Sequence, residues 1–371
     1  MHIPDGYLSP ATCAALYGGS APFWYVALNR VKKALHTRLV PLLSLFAAFC
    51  FVIMMFNLPL PGGTTGHAVG IGLATVVLGP WAAMLAVSIA LIIQALFFGD
   101  GGITAIGANC FNMAIVGSLA SYVVYRAVAG RAAIASPRRV IAAGLAGYCA
   151  INLSALFAAI EFGIQPMLYH DAAGAPLYCP YPLSIAIPAM MIGHLTIAGL
   201  AELFVSAGAV AFLQQSDPSL LRATSGLPAT QIGATRIGAT RAGPVDPSPG
   251  VFQPRPTSLR PLWAALGALM ILTPLGILAA GSAWGEWVAS DYANPAIRQQ
   301  MAASSLNQTP PRRAPEGLER WSGLWTAPFA RYAPPYVRSA AFGYLLSGMF
   351  GVGLVLLGSF GVGKVLRNGK V

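Results

Sequence analysis

The chain has 371 residues, of which 56% are hydrophobic and only 9% are charged, a charged fraction about a third of that in soluble domains. Apolar runs of membrane-spanning length recur along it, so the composition excludes a soluble globular protein and predicts an all-α polytopic membrane protein. The net charge of +11 does not predict nucleic-acid binding, because the Lys and Arg residues form short clusters between apolar runs, as the positive-inside rule describes.

Nine apolar segments are predicted to cross the lipid bilayer, and they divide into two groups. The first seven form a helical module at residues 1–213, and the last two form a second module at 261–371 with an external loop at 283–338. Residues 214–260 contain a repeated IGATR motif and a Pro/Ser/Gly-rich stretch, which indicates a flexible cytoplasmic linker. The predicted spans are 9–29, 39–57, 67–80, 82–98, 104–125, 140–162, 183–213, 261–282 and 339–363.

The positions of the basic residues predict the orientation. Sixteen of the 22 Lys and Arg residues follow spans one, five, seven and nine, which all end on the same side, and the other six lie in the loop 283–338. Because basic residues concentrate on the cytoplasmic side, we expect the N-terminus outside and the C-terminus inside. Met1 and His2 are therefore expected at the external face.

The opening residues MHIPDGYLSP contain a candidate metal-binding group. Methionine aminopeptidase accepts only small second residues, so the histidine at position 2 predicts that Met1 is retained. The Met1 amine, the His2 amide and the His2 imidazole can then close a five-membered and a six-membered chelate ring on one metal ion. Three nitrogens in a plane suit Ni(II) or Cu(II), and their binding must release protons. The alternative is an ordinary turn-rich loop that folds back on the protein.

A fourth nitrogen would complete the plane, and the chain offers four other histidines. His67 begins the third predicted span on the external side, among glycines that let the backbone approach closely. His36 lies in a cytoplasmic basic cluster, His170 in an external loop and His194 within the seventh span. His67 is the preferred candidate, and the alternative is a histidine whose ring is satisfied by the local backbone.

Other polar groups in or near the apolar segments form two sets. The first set is expected to orient the imidazoles or the N-terminal loop by hydrogen bonds, with solvated turns and helix contacts as the alternative. Its members are Asp5, Gln94, Asp100, Asn109 and Asn112. The second set is expected in helix packing, with coupling to energising subunits as the alternative, and its members are Glu161, His194 and Glu202.

Four stretches together resemble a known family, namely MHIPDGYLSP, GHAVGIGLATVVLGPWAAML, LIIQALFFGDGGITAIGANCFNMAIVG and PAMMIGHLTIAGLAELFV. They are similar to the substrate-binding membrane component (the M-type S component) of energy-coupling-factor nickel/cobalt transporters. The linker and the two-span module resemble the small accessory N-type subunit of these transporters, fused to the first component. The stretch APEGLERWSGLW is similar to its PDGLE signature, with Glu316 in place of Asp.

The resemblance implies a divalent cation, Ni(II) or Co(II), held by the Met1 amine, the His2 amide and imidazole, and His67. It also implies import across the bacterial cytoplasmic membrane, driven by a transmembrane coupling subunit and two ATP-binding subunits. The chain contains no G-x-x-x-x-G-K-[ST] motif, so we expect that it is not an enzyme and that its partners hydrolyse the ATP.

Two other functions stay open at this point. One is a membrane metal sensor or accessory protein with no transport role of its own. The other is a secondary metal transporter coupled to protons through Asp100, Glu161 and Glu202. Nitrogen ligands in a plane favour Ni(II), and low-spin Co(II) also fits, so the sequence does not separate the two ions.

Overall fold

The computed structural model describes residues 1–33, 39–227, 259–279 and 281–368, and these residues are mainly helical. Six of the described helices are long and apolar enough to cross a membrane, which confirms the predicted all-α polytopic class. The division into seven plus two spans and the N-out, C-in orientation stay predictions.

The helices of the first module are α1 to α7, at Pro10–Lys33, Leu39–Met54, Ile71–Leu78, Pro80–Phe98, Ile106–Ala129, Pro137–Leu168 and Leu183–Ser216. Those of the second module are α8 to α11, at Arg260–Leu278, Pro295–Ser304, Glu316–Trp321 and Ala340–Val365. The helices with membrane-spanning length and hydropathy are α4 to α8 and α11. Helix α1 is long enough but less apolar, and α2 is shorter than the other candidates.

The third predicted span, 67–80, is not one continuous helix. Its helical part is α3, whose eight residues extend over about 12 Å, far less than the ~30 Å hydrocarbon core of a bilayer. Gly70 (φ +79°) and Gly79 (φ +78°) hold positive backbone angles at the two ends of α3, and Pro80 begins α4. The helical part of the predicted third span is therefore bounded by two glycine turns.

Most of the predicted linker, residues 228–258, lies outside the described residues. His36 also lies outside them. The first part of the linker is packed on the first module. Thr224 and Ser225 are buried, and the Nη2 atom of the buried Arg139 donates to the Ser225 carbonyl over 2.9 Å. The ordered first module thus continues beyond α7.

A two-stranded hairpin leads the chain towards His67. Strand β1 (Leu58–Leu60) pairs antiparallel with β2 (Thr64–Gly66). The Thr65 amide also donates to the Ser282 carbonyl of the second module over 3.3 Å. The hairpin therefore fixes the position of His67, which follows β2 directly, and joins the two modules at that point.

Wide π turns interrupt α4, α5 and α7 at Gln94–Phe98, Cys110–Val116 and His194–Ala198. Each contains one of the polar residues singled out from the sequence, namely Gln94, Asn112 and His194. A π turn adds a residue to the helical turn and redirects the side chains around it. These turns decide which way the polar groups of the three helices face.

A buried carboxylate fixes the backbone after His67. Glu202 of α7 is fully buried, and its Oε2 atom accepts hydrogen bonds from the amides of Val69 (2.7 Å) and Gly70 (2.8 Å). Its Oε1 atom accepts a third from the Gly72 amide (3.1 Å). Three backbone amides donate to this one side chain, so Glu202 holds the turn that follows His67.

We expect Glu202→Gln to lower the free energy of unfolding by about 2–4 kcal/mol. An amide has one acceptor oxygen, so its NH₂ group would face a backbone N–H that loses its partner. Ser206→Ala is the matched control, since it removes only a 3.5 Å contact to the same carboxylate and should cost about 0.5 kcal/mol. Denaturant unfolding of the purified protein in detergent measures both, and equal losses would contradict this role of Glu202.

Candidate metal centre

The N-terminal segment is buried inside the protein. Met1, His2 and Ile3 are 3%, 1% and 0% exposed. The Ile3 amide donates to Asn109 Oδ1 (2.8 Å), and Asn109 Nδ2 donates back to the Ile3 carbonyl (3.1 Å). The Gly102 amide also donates to that carbonyl (2.9 Å). Chain termini are usually poorly ordered, and these bonds hold this one in place.

Asp5 closes the turn that follows. Its carboxylate accepts hydrogen bonds from the amides of Ile103 (3.1 Å) and Thr104 (2.8 Å) and from the Thr104 hydroxyl. A Cβ atom on Gly102 would lie 2.3 Å from the Asp5 nitrogen, so only glycine allows this close approach. Asp5 therefore anchors the N-terminal loop.

The imidazoles of His2 and His67 lie side by side, with ring centroids 5.1 Å apart and planes inclined by 38°. His67 Nδ1 is 3.0 Å from the Ala68 carbonyl oxygen. Because a carbonyl can only accept, Nδ1 carries the proton and Nε2 keeps its lone pair. Neither ring nitrogen of His2 makes a hydrogen bond of regular geometry with the described residues, and the nearest polar group to Nδ1 is Asp100 Oδ1.

Both imidazoles are neutral at physiological pH. Burial lowers the pKa of His2 to about 4, and burial together with the neighbouring His2 lowers the pKa of His67 to about 3. Desolvation disfavours the charged form of a histidine. Neutral imidazole is the form that binds metals, so both rings are in the protonation state that a ligand needs.

The side chain of Asp100 approaches His2. Asp100 Oδ1 lies 3.1 Å from His2 Nδ1, and Asp100 Oδ2 accepts hydrogen bonds from the Tyr332 hydroxyl (2.6 Å) and Gln94 Nε2 (3.2 Å). Gln94 Nε2 also donates to the Tyr332 hydroxyl (3.0 Å). Asp100 therefore lies beside His2, and Tyr332 of the second module donates to its other oxygen.

The N-terminal amine meets a carboxylate of the second module. The Met1 nitrogen donates to Glu286 Oε1 over 3.4 Å. An open cavity of about 450 Å³ leads to this region, and its lining includes His67, Asp100, Glu286 and Tyr332. An open space between the modules therefore reaches the His67 imidazole.

The other polar groups singled out from the sequence lie elsewhere. Asn112 Nδ2 donates to Glu161 Oε2 (2.8 Å) and so links α5 to α6. His194 Nδ1 is bonded to the Met190 carbonyl of its own helix (2.8 Å). His170 lies in an exposed turn.

Within the described ranges, no cluster of three His, Cys, Asp or Glu side chains is arranged to hold a metal ion. The predicted set needs only two such side chains, because its other two nitrogens belong to the main chain of Met1 and His2. Sequence reasoning missed Glu286 and Tyr332. Their contacts cross 285 and 232 residues of chain, and the only signal was the unusual Trp and charge content of the loop 283–338.

Comparison with known proteins covers both modules. Residues 2–220 match the family CbiM, described as "Cobalt uptake substrate-specific transmembrane region", and residues 260–368 match the "PDGLE domain". Two crystal structures resemble the chain. A "Truncated Transition metal Transporter" is 48% identical with a TM-score of 0.54, covering 57% of this chain and 98% of that one. A "transition metal transporter" is 44% identical with a TM-score of 0.56, covering 64% and 100%.

Two relatives extend over nearly the whole length. The "Fused nickel transport protein NikMN" of Rhodobacter capsulatus is 54% identical over 355 residues, which cover 96% of this chain and 95% of that protein. The "Probable fused nickel transport protein LarMN" of Lactiplantibacillus plantarum is 39% identical over 356 residues, with 95% and 94% covered. These matches confirm the resemblance in both modules: the chain belongs to the CbiM family of membrane transport proteins, in the fused form that carries a PDGLE domain at its C-terminal end.

Proposed function

We propose that this chain captures Ni(II) or Co(II) for import and holds the ion in a plane of four nitrogens. The ligands are the Met1 amine, the His2 amide, the His2 imidazole and the His67 imidazole. The observation that carries the proposal is the pair of buried imidazoles beside the N-terminal amine. Buried polar nitrogens are normally paired, and His2 Nδ1 has only the Asp100 carboxylate within reach, so a bound ion would take the place of that partner.

The geometry supports specific roles for the two rings. His2 Nδ1 is the nitrogen that closes the six-membered chelate ring, and in the metal-free chain it faces Asp100. The ion takes over this contact, while Asp100 keeps its hydrogen bonds to Gln94 and Tyr332. His67 offers Nε2, because its Nδ1 proton is engaged by the Ala68 carbonyl. Asp5 and Asn109 keep the N-terminal ligands in place.

The choice of cargo rests on coordination chemistry and on the relatives. Four nitrogens in one plane suit Ni(II), and low-spin Co(II) accepts the same arrangement. Two full-length relatives are named as nickel transport proteins, and a "Cobalt transport protein CbiM" of Thermosipho melanesiensis is 38% identical over 130 residues. We therefore place both ions in the substrate class.

The energy for import comes from other subunits in this proposal. The chain lacks a phosphate-binding loop motif, so it acts with a transmembrane coupling subunit and two ATP-binding subunits of an energy-coupling-factor transporter. It resides in the bacterial cytoplasmic membrane with Met1 outside, which the distribution of basic residues supports.

Coupling to protons through Asp100, Glu161 and Glu202 receives less support. Glu202 is bonded to backbone amides beyond His67, and Glu161 to the Asn112 side chain, so the three carboxylates belong to separate groups of hydrogen bonds. Metal uptake into vesicles containing this chain alone, without nucleotide, would establish that alternative.

One extra residue before Met1 is expected to abolish tight Ni(II) binding. The extension keeps both histidines but converts the chelating amine to an amide, so the loss should be at least about 100-fold. Isothermal titration calorimetry of the purified protein measures it, with intact mass confirming each N-terminus. Unchanged affinity would place the ion elsewhere and refute the proposed ligand set.

His67→Ala should weaken Ni(II) binding by about 100-fold or more, since it removes a direct ligand. His170→Ala is the matched control, because His170 also lies between two helices of the first module but in an exposed turn, and it should leave the affinity within a factor of about two. Similar losses in the two variants would contradict the assignment of His67.

Lowering the pH is expected to weaken Ni(II) binding, because protons compete with the ion for the main-chain nitrogens of Met1 and His2. The ion displaces one proton from the Met1 ammonium and one from the His2 amide. The pKa values of about 4 for His2 and about 3 for His67 keep both rings neutral above pH ~5. Calorimetry in buffers of different ionisation enthalpy should give about two protons released per ion, and a value near zero would exclude the amine and amide as ligands.

A further inference from the structure

Glu286 is held in place by its neighbours in the second module. Trp284 and Trp287 on either side of it are buried, at 4% and 1% exposed. The Trp284 ring packs edge-on against Phe162 of the first module, with centroids 5.7 Å apart. The Tyr7 hydroxyl donates to the Trp287 carbonyl over 2.9 Å. The position of Glu286 is therefore tied to the first module from two directions.

The carboxylate of Glu286 points at the N-terminal amine. Its side chain is 23% exposed, and Oε1 lies 3.4 Å from the Met1 nitrogen, which is almost fully buried. In the described part of the chain, no second carboxylate forms an ion pair with this amine. Glu286 also lines the open cavity that reaches His67 and Asp100. The carboxylate of Glu286 therefore contacts the Met1 amine and not the imidazoles of His2 and His67.

We propose that Glu286 is a positioning residue for the metal site, whose carboxylate accepts a hydrogen bond from the Met1 nitrogen both before and after the ion binds. This inference rests on the proposed function, in which the same nitrogen is a ligand. A metal-bound primary amine keeps two N–H groups, so it can donate to Glu286 while its lone pair faces the ion. Glu286 itself does not coordinate the metal.

The physical advantage lies in the mobility of a chain end. In the proposed function the Met1 nitrogen is a free amine, which rotates unless another group fixes it. A charge-assisted hydrogen bond removes this freedom before the ion arrives, and such neighbours orient ligands around metals generally. The second module thereby contributes to the affinity of a site whose four ligands all belong to the first module.

The test compares Ni(II) binding by the full-length protein and three single variants. Glu286→Ala removes the acceptor and should weaken binding by about 10- to 100-fold. Glu286→Gln keeps the shape and one acceptor oxygen but loses the charge, so its loss should be smaller, about 10-fold. Asp171→Asn is the charge-matched control. Its carboxylate is exposed and accepts only from two amides of its own turn, which asparagine can also satisfy, so its affinity should match that of the parent protein.

A spectroscopic measurement separates positioning from coordination. The d–d absorption band of bound Ni(II) should keep its wavelength in both Glu286 variants, because the four nitrogens are unchanged. A shifted band would make Glu286 a metal ligand and overturn the positioning role. Parent-like affinity in Glu286→Gln would show that the charge is not needed, and this too would overturn the proposal.

The one-residue extension before Met1 distinguishes the two hypotheses. When the extension abolishes binding and both Glu286 variants bind like the parent protein, the inference about Glu286 fails and the proposed function stands. When the extension has no effect, the proposed function itself fails, and the inference falls with it.

Discussion

The candidate site depends on burying the N-terminal segment Met1–Ile3 inside the protein. A terminus carries an amine and backbone groups that need hydrogen-bond partners once they leave water. The structure meets this need with the side chain of Asn109, the Gly102 amide and the turn anchored by Asp5. The Met1 amine donates to the carboxylate of Glu286. These hydrogen bonds fix the N-terminal segment, and the fixed segment in turn determines where the candidate metal ligands lie.

The second requirement is to bring His67 to the same place. An uninterrupted transmembrane helix would orient a histidine by its helical period alone. This chain instead uses a hairpin, a glycine turn and the short α3, and Glu202 accepts the three amides that the turn exposes. The short α3 and the buried carboxylate of Glu202 in α7 both contribute to positioning the backbone that follows His67.

Local chemistry made part of this arrangement predictable. The helical class follows from hydropathy, and Met1 with His2 forms a chelating group whatever the fold, because the three nitrogens are covalently adjacent. The split of the third span was not predictable from hydropathy, since Gly70 and Gly79 lie in an apolar run. The π turns could not be predicted from a regular helical period. Gln94 and Asn112 lie in these turns, where Gln94 contacts Asp100 and Asn112 contacts Glu161. Glu286 and Tyr332 reach the site only through contacts between the modules.

A charge balance links these observations. In the metal-free chain the site contains one ammonium, from Met1, and the carboxyl groups of Asp100 and Glu286. A divalent ion that displaces one proton from the ammonium and one from the His2 amide adds two positive charges and removes two protons. The total charge of the buried site is then unchanged. Burying uncompensated charge costs several kcal/mol per ion, so this exchange lets a doubly charged cation enter without a carboxylate among its ligands. Glu286 can instead remain as a neighbour that orients the amine, and Asp100 keeps its hydrogen bonds to Gln94 and Tyr332 near the site.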